Sequence, residues 1–115
     1  MISIVLVALV AYLIGSISFS VIFTKKFKGF DVREKGSKNA GSTNVLRTAG
    51  VKIAVLTLVC DILKGVVAIS FGLLIGALTK ADESTKAYLV EAAGIFVVIG
   101  HTFPIYFGFK GGKGV

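Results

Sequence analysis

The sequence predicts an all-α fold: a polytopic helical bundle embedded in a membrane, with about three spans in its 115 residues. Three observations carry that prediction. Hydrophobic residues make up 55% of the chain and charged residues 17%, whereas a soluble domain has about 45–50% and about 25%. The mean hydropathy is +0.89, and the apolar residues fall in three long blocks rather than being scattered, which excludes a disordered chain. Thirteen Lys and Arg against six Asp and Glu leave a net charge of +7. On so apolar a chain that charge points to lipid headgroups or a phosphorylated substrate, and no nucleic-acid partner is expected.

The first block, Met1 to Thr24, holds no charged side chain. As a helix it reaches about 36 Å, enough for a hydrocarbon core of roughly 30 Å. A signal peptide would carry a basic start and an apolar run of about 7–15 residues. Here the positive charge follows the block, at Lys25, Lys26 and Lys28, so a retained span over 1–24 is expected.

The second block, Ile53 to Thr79, is interrupted by Asp61 and Lys64. A helix starting after Lys64 would reach only about 22 Å, too short to cross. The span therefore includes the pair near one edge. At mid-span the two charges would cost about 5–7 kcal/mol, and less near an interface. Three positions apart, they share a helix face and can pair. Gly72 and Gly76 make a small-xxx-small step suited to helix packing, though chance in a chain with 14 Gly explains the step equally well.

The third block runs from Ala87 to about Phe109, with Glu91 near its start and His101 near its end. His101 falls about 21 Å along it. Pro104 should bend or end the helix, and Gly94 and Gly100 offer positions for close packing.

Orientation follows from the connections. Segment 25–52 holds eight Lys and Arg, while segment 80–86 holds Lys80 and Lys86 offset by Asp82 and Glu83. The positive-inside rule places 25–52 in the cytoplasm and the N-terminus outside. Three crossings return 110–115, with Lys110 and Lys113, to the cytoplasm. Both unusual polar segments then face one compartment, where they can form one site.

The first polar segment, Gly36 to Arg47, alternates Gly with small hydroxyl and amide residues. Such a stretch can turn backbone N–H groups of residues such as Gly41 inward and surround an anion with Ser37, Asn39, Thr43 and Asn44. Arg47 adds a planar, permanently charged fork for phosphate oxygens. If Thr43 or Asn44 caps a helix containing Arg47, the helix N-terminus reinforces that preference. A polar loop that only holds anionic headgroups has the same composition.

In the second segment, Gly100 to Val115, Lys113 is flanked by Gly111, Gly112 and Gly114, letting backbone and ammonium approach an anion together. It is not a P-loop: Phe107 stands where the first Gly belongs and Gly114 replaces the Ser or Thr. His101 has no Cys or His companions, so no metal is expected. It reads either as a packing or hydrogen-bonding residue or as a base. No G-x-S-x-G elbow is present, which leaves a serine hydrolase unsupported. Tyr106 replaces the Asp of the His-x4-Asp pattern of soluble glycerolipid acyltransferases. Cys60 is the single cysteine, excluding an internal disulfide, and reads as packing.

At these residues the sequence resembles the bacterial acyl-phosphate:glycerol-3-phosphate acyltransferase family, the integral-membrane PlsY type. The likeness runs from Gly15-Ser16-Ile17 and Asp31-Val32-Arg33 through Gly36-Ser37-x-Asn39-x-Gly41-x-Thr43-Asn44-x-x-Arg47. It continues at Asp61-x-x-Lys64-Gly65 and from Gly100-His101-x-Phe103-Pro104 to Gly111-Gly112-Lys113-Gly114-Val115. Ser18 stands where the family usually has Pro, and Lys38 where it usually has Gly. The resemblance implies transfer of a fatty acyl group from acyl phosphate to glycerol 3-phosphate, giving lysophosphatidic acid, with no cofactor. It implies a catalytic set of Ser37, Arg47, His101 and Lys113. Substrate phosphates would lie on Ser37, Asn39, Gly41, Thr43, Asn44, Arg47, Gly111, Gly112 and Lys113. It further implies residence in the bacterial inner membrane and association with the phosphate acyltransferase that makes acyl phosphate. Family members are longer and carry a third cytoplasmic motif, so the chain is expected to be a fragment or a truncated reading frame. The competing class is a small transporter or channel subunit for an anionic solute, using Asp61, Lys64 and Glu91 as intramembrane charges. Polar residues crowd into two segments on one face rather than into the spans, which favours the interfacial enzyme.

Overall fold

The computed structural model describes residues 2–34 and 42–103. Five α-helices follow in order: α1 (Ile2–Gly15), α2 (Phe19–Lys28), α3 (Ser42–Ala49), α4 (Val51–Leu78) and α5 (Glu83–Thr102). A 3-10 turn (Val32–Glu34) lies between α2 and α3. Helices α1, α4 and α5 pack side by side, each against the other two, while α2 and α3 pack on α4 and on each other. Ile2–Lys28 and Val51–Leu78 are the stretches among the described residues long and apolar enough to cross a membrane.

Helix α4 explains why the apolar blocks form a bundle. Its 28 residues extend about 42 Å, and large apolar side chains such as Leu58, Ile62, Val66, Leu73 and Leu78 stand exposed around it. A helix apolar on all faces suits lipid rather than water. Its buried stripe is made of small or polar residues: Ala54, Thr57, Lys64, Ala68, Gly72 and Gly76. In lipid no hydrophobic force drives helices together, so close backbone approach and interhelical hydrogen bonds must do so. Gly72 bears this out, since a Cβ there would lie 3.1 Å from the Leu89 carbonyl oxygen. Gly76 instead makes room for side chains, those of Lys86 and Leu89.

The tightest contact joins α1 to α5. A Cβ on Gly15 would collide with the backbone of Val97, and one on Gly100 with the backbone of Tyr12, Gly15 and Ser16. Val7 and Ala11 of α1 continue the seam against Leu89, Ala93 and Val97 of α5, with Ala68 of α4 closing it. The Tyr12 hydroxyl donates to the Phe103 carbonyl oxygen at 2.6 Å, tying α1 to the end of α5. A second, smaller core gathers Val21, Val32, Val45, Ala49 and Ala54 where α2, the 3-10 turn, α3 and the start of α4 meet.

Several boundaries differ from the sequence expectation. The block over 1–24 is not one helix: α1 ends at Gly15 and α2 restarts at Phe19. Ser16 turns its hydroxyl back to the Tyr12 carbonyl oxygen (2.8 Å), and the Ser18 and Ser20 hydroxyls pair at 3.2 Å. Small hydroxyl side chains thus compete with the helical ladder at the break. Helix α4 matches the second block within two residues at its start and one at its end. Helix α5 begins at Glu83 rather than Ala87, because Asp82 caps it by accepting from the Thr85 backbone N–H at 2.8 Å. It ends at Thr102, with Phe103 at φ −126° and ψ 66°, outside the helical region, as a residue preceding proline tends to be. Segment 25–52, read as a loop, holds the end of α2, the 3-10 turn and all of α3.

Gly94 lies on the same helix as Gly100, but a Cβ there would meet nothing within 4 Å. Gly100→Ala should therefore destabilise the bundle by about 1–3 kcal/mol through overpacking, whereas Gly94→Ala should be neutral or stabilise by up to about 1 kcal/mol. Unfolding of both variants by graded SDS in mixed micelles checks the contrast, and equal midpoints would refute the α1–α5 packing described.

Candidate functional site

The break between α1 and α2 leaves carbonyl groups without intrahelical partners, as every helix end does. Lys64, reaching across from α4, occupies that gap. Its Nζ donates to the Gly15 and Ile17 carbonyl oxygens, both at 2.9 Å, and stands 3.1 Å from His101 Nδ1. Asp61, one turn earlier on α4, lies 3.3 Å away through Oδ1, which is the pairing expected from the sequence spacing. The Lys64 side chain is 5% exposed and that of Asp61 18%. The Phe19 ring sits 6.0 Å from the ammonium. One buried cation thus joins α1, α2, α4 and α5.

A second polar assembly stands at the base of α3. The Arg33 guanidinium grips the Asp31 carboxylate through Nε (3.0 and 3.1 Å) and Nη2 (2.6 Å), and the Arg33 backbone N–H donates to Asp31 Oδ1 at 2.9 Å. Lys25 approaches the same carboxylate at 3.8 Å. Asn44, 1% exposed, donates through Nδ2 to the Val32 carbonyl oxygen at 2.9 Å. These contacts clasp the 3-10 turn onto α3 and fix how α3 is presented.

Of the residues singled out in the sequence, Thr43, Asn44, Arg47 and His101 lie within the described residues. Ser37, Asn39, Gly41, Gly111, Gly112 and Lys113 lie outside them. Helix α3 starts at Ser42, so Thr43 and Asn44 sit inside its first turn rather than capping it. Thr43 and Arg47, four residues apart, share one face of α3, and both are exposed. Among the described residues no ion pair or hydrogen bond engages the Arg47 guanidinium. Asn44 points the other way, into the small core. Arg47 and His101 stand on different supports: α3 packs on α2, α4 and the 3-10 turn, and α5 on α1 and α4. Among the described residues, α4 packs against both. No group of three or more His, Cys, Asp or Glu that could hold a metal occurs among the described residues.

Sequence reasoning did not find that Lys64 reaches His101 and the α1 end. The signal was present as two charges in an otherwise apolar block, but spacing identifies only partners on the same helix.

A family model described as "Glycerol-3-phosphate acyltransferase" matches residues 5–115. Curated relatives of that name include one from Bartonella henselae, 51% identical over 110 residues, with 96% of this chain and 50% of the relative covered. Another, from Halalkalibacterium halodurans, is 49% identical over 105 residues, with 91% and 48% covered. Among solved structures the chain is similar to PlsY (YgiH), an integral membrane glycerol 3-phosphate acyltransferase, in its glycerol 3-phosphate form. The TM-score is 0.75 at 40% identity, covering 98% of this chain and 52% of that one. The lysophosphatidic acid form of PlsY gives a TM-score of 0.71 at 38% identity. The chain spans about half the length of the curated relatives it matches.

The Asp31–Arg33 clasp makes a prediction about pH. Its hydrogen bonds from Arg33, above all those of the guanidinium, hold the Asp31 carboxyl below the ordinary carboxylate value, with Lys25 adding to the effect. A carboxylate with a depressed folded pKa contributes stability that is whole above the unfolded pKa, about 4. That contribution is lost as pH falls through the lower folded value. Asp31→Asn should lower stability near pH 7 by about 1–2 kcal/mol and flatten its acid dependence below about pH 4. A variant with the parent's acid profile would show that the clasp contributes nothing.

Proposed function

Because the chain belongs to the glycerol-3-phosphate acyltransferase family, we propose that it carries the substrate-phosphate side of a membrane acyltransferase. The reaction moves a fatty acyl group from acyl phosphate to the 1-hydroxyl of glycerol 3-phosphate. The hydroxyl oxygen forms a new bond to the acyl carbon, the bond from that carbon to the phosphate oxygen breaks, and the hydroxyl proton leaves with inorganic phosphate. Lysophosphatidic acid and phosphate result.

The observation that carries this reading is the presentation of Arg47. Helix α3 faces its Asn44 side into a small core, while Thr43 and Arg47 stand exposed on the other face. Arg47 remains available among the described residues, and its guanidinium suits bidentate capture of a phosphate. Acyl phosphate is a mixed anhydride with a good leaving group. Positioning and charge stabilisation can supply most of the rate acceleration without a covalent intermediate or a metal. Ser37, Asn39, Gly41, Gly111, Gly112 and Lys113 are proposed to complete the phosphate contacts, with His101 beside them. Asn44 belongs to the proposed set, but its hydrogen bond to Val32 supports a part in holding α3.

The proposed spans are 1–24, 53–79 and 87–109, with 80–86 external and 25–52 and 110–115 cytoplasmic. The N-terminus then lies outside a bacterial inner membrane, and the acyl-phosphate-forming phosphate acyltransferase meets the cytoplasmic face. Helix α1 alone extends about 21 Å, short of a hydrocarbon core of roughly 30 Å. The break at Ser16–Ser18 then falls inside the bilayer, where freed backbone groups need protein partners. The transporter alternative is weakened because Asp61 and Lys64 engage each other and the α1 end, leaving Glu91 as the remaining charge of its proposed pathway.

In a protein of the relatives' full length carrying this chain, Arg47→Ala should lower acyl transfer by about 10²–10³-fold while membrane insertion is unchanged. Arg47→Lys should fall between, since a point charge does not reproduce the fork. Transfer of labelled glycerol 3-phosphate from palmitoyl phosphate on membranes measures both. Unchanged transfer in the alanine variant would sink the phosphate assignment.

A further inference from the structure

We infer that Lys64 is a positioning residue for His101: its ammonium holds the ring with Nδ1 as acceptor and so presents Nε2–H as the nitrogen free to donate. The functional half of this inference rests on the reading that His101 belongs to the acyl-transfer site; the geometric half does not.

For a charged Lys64, donor counting assigns the tautomer. A lysine ammonium has three N–H donors and no acceptor lone pair. Two of those donors meet the carbonyl oxygens of Gly15 and Ile17 at 2.9 Å, and the third points to His101 Nδ1 at 3.1 Å. Asp61 Oδ1 at 3.3 Å supplies the counter-charge without a matched hydrogen-bond geometry. Nδ1 can then accept only if it carries no proton, which places the single ring proton on Nε2. A neutral Lys64 amine would reverse the assignment: with two donors on the carbonyls, its lone pair would accept from Nδ1–H. With Asp61 Oδ1 at 3.3 Å as its counter-charge, the amine is taken as the ammonium in this inference. A doubly protonated ring would offer the ammonium no acceptor at Nδ1.

The clamp also fixes where the ring stands. Gly15 ends α1 and Ile17 lies within the α1–α2 break, whose backbone is held against α5 by the close approach at Gly100. Tyr12 ties the same helix to the Phe103 carbonyl oxygen. His101 is therefore bound to the rigid seam of the bundle on its Nδ1 side. It lies at the last turn of α5, ten residues before Gly111 in the sequence. Lys64 touches no substrate in this reading and acts through His101.

The chain contains one histidine, so selective 15N-histidine labelling in lipid nanodiscs reports His101 directly. The expected spectrum at neutral pH shows Nε2 protonated and Nδ1 unprotonated but shifted by an accepted hydrogen bond. In Lys64→Met, which is unbranched, ends one atom short of the ammonium and removes the donors, the hydrogen-bond shift of Nδ1 should disappear. A proton on Nδ1 in the parent would overturn the inference even if the variant failed to fold. An unchanged Nδ1 resonance in a folded variant would overturn it as well. In a protein of the relatives' full length carrying this chain, Lys64→Met should lower kcat on the order of 10- to 100-fold. Because the spectrum does not depend on acyl transfer, an inactive parent with the expected Nδ1 signature would reject the functional reading while upholding the clamp. An active Lys64→Met protein with full kcat would reject the positioning role.

Discussion

A buried ammonium in an apolar bundle loses several kcal/mol of hydration, and a partner must replace every lost contact for it to persist. Lys64 meets that condition with two carbonyl oxygens, an imidazole nitrogen and a carboxylate. The same constraint operates from the other side. A helix broken at Ser16–Ser18 leaves carbonyls that lipid cannot satisfy, and Lys64 satisfies two of them. Each feature would be costly alone, and together they define how α1, α4 and α5 meet.

The rest of the bundle is arranged to permit this meeting. Gly15 and Gly100 let α1 and α5 approach until their backbones touch, which brings the α1 end and His101 within reach of one side chain. The Ala68 and Gly72 positions of α4 keep that helix close as well. Small residues do in lipid what large apolar ones do in a soluble core, because association there depends on packing distance rather than on water release. Large apolar side chains are left facing outward.

The second core has a different chemistry and a different task. Val21, Val32, Val45 and Ala54 give α3 an apolar seat, and the Asp31–Arg33 and Asn44–Val32 contacts fix the turn beside it. The eight-residue α3 is too short to be stable by itself, so its orientation depends on this seat. One face is used for anchoring. The opposite face, with Thr43 and Arg47, is left exposed, and in the proposed function it is the face that meets a phosphate. A phosphate contact of this kind depends on preorganisation, since a loosely held guanidinium would lose in ordering what it gains in charge.

The class of the fold was readable from the amino-acid order. The apolar blocks, the length of each, the excess of Lys and Arg in 25–52 and the two polar motifs all follow from local composition. The Asp61–Lys64 pair was legible because three-residue spacing puts two side chains on one helix face. The Gly72–Gly76 spacing put both residues on one face as well, but it did not separate packing from chance; the contacts with Leu89 and Lys86 did. Tertiary structure alone decided the rest. Nothing local tells whether Gly94 or Gly100 meets a neighbour; Gly100 does and Gly94 does not, because α1 crosses α5 near its last turn. Nothing local separates Asn44 as a clasp from Thr43 and Arg47 as an open face until α3 has a seat. The Lys64–His101 contact joins positions 37 residues apart on two helices, and the Lys64–Gly15 contact joins positions 49 apart. Hydrophobic periodicity records which face of a helix is buried, but not which atoms of another helix it will find there.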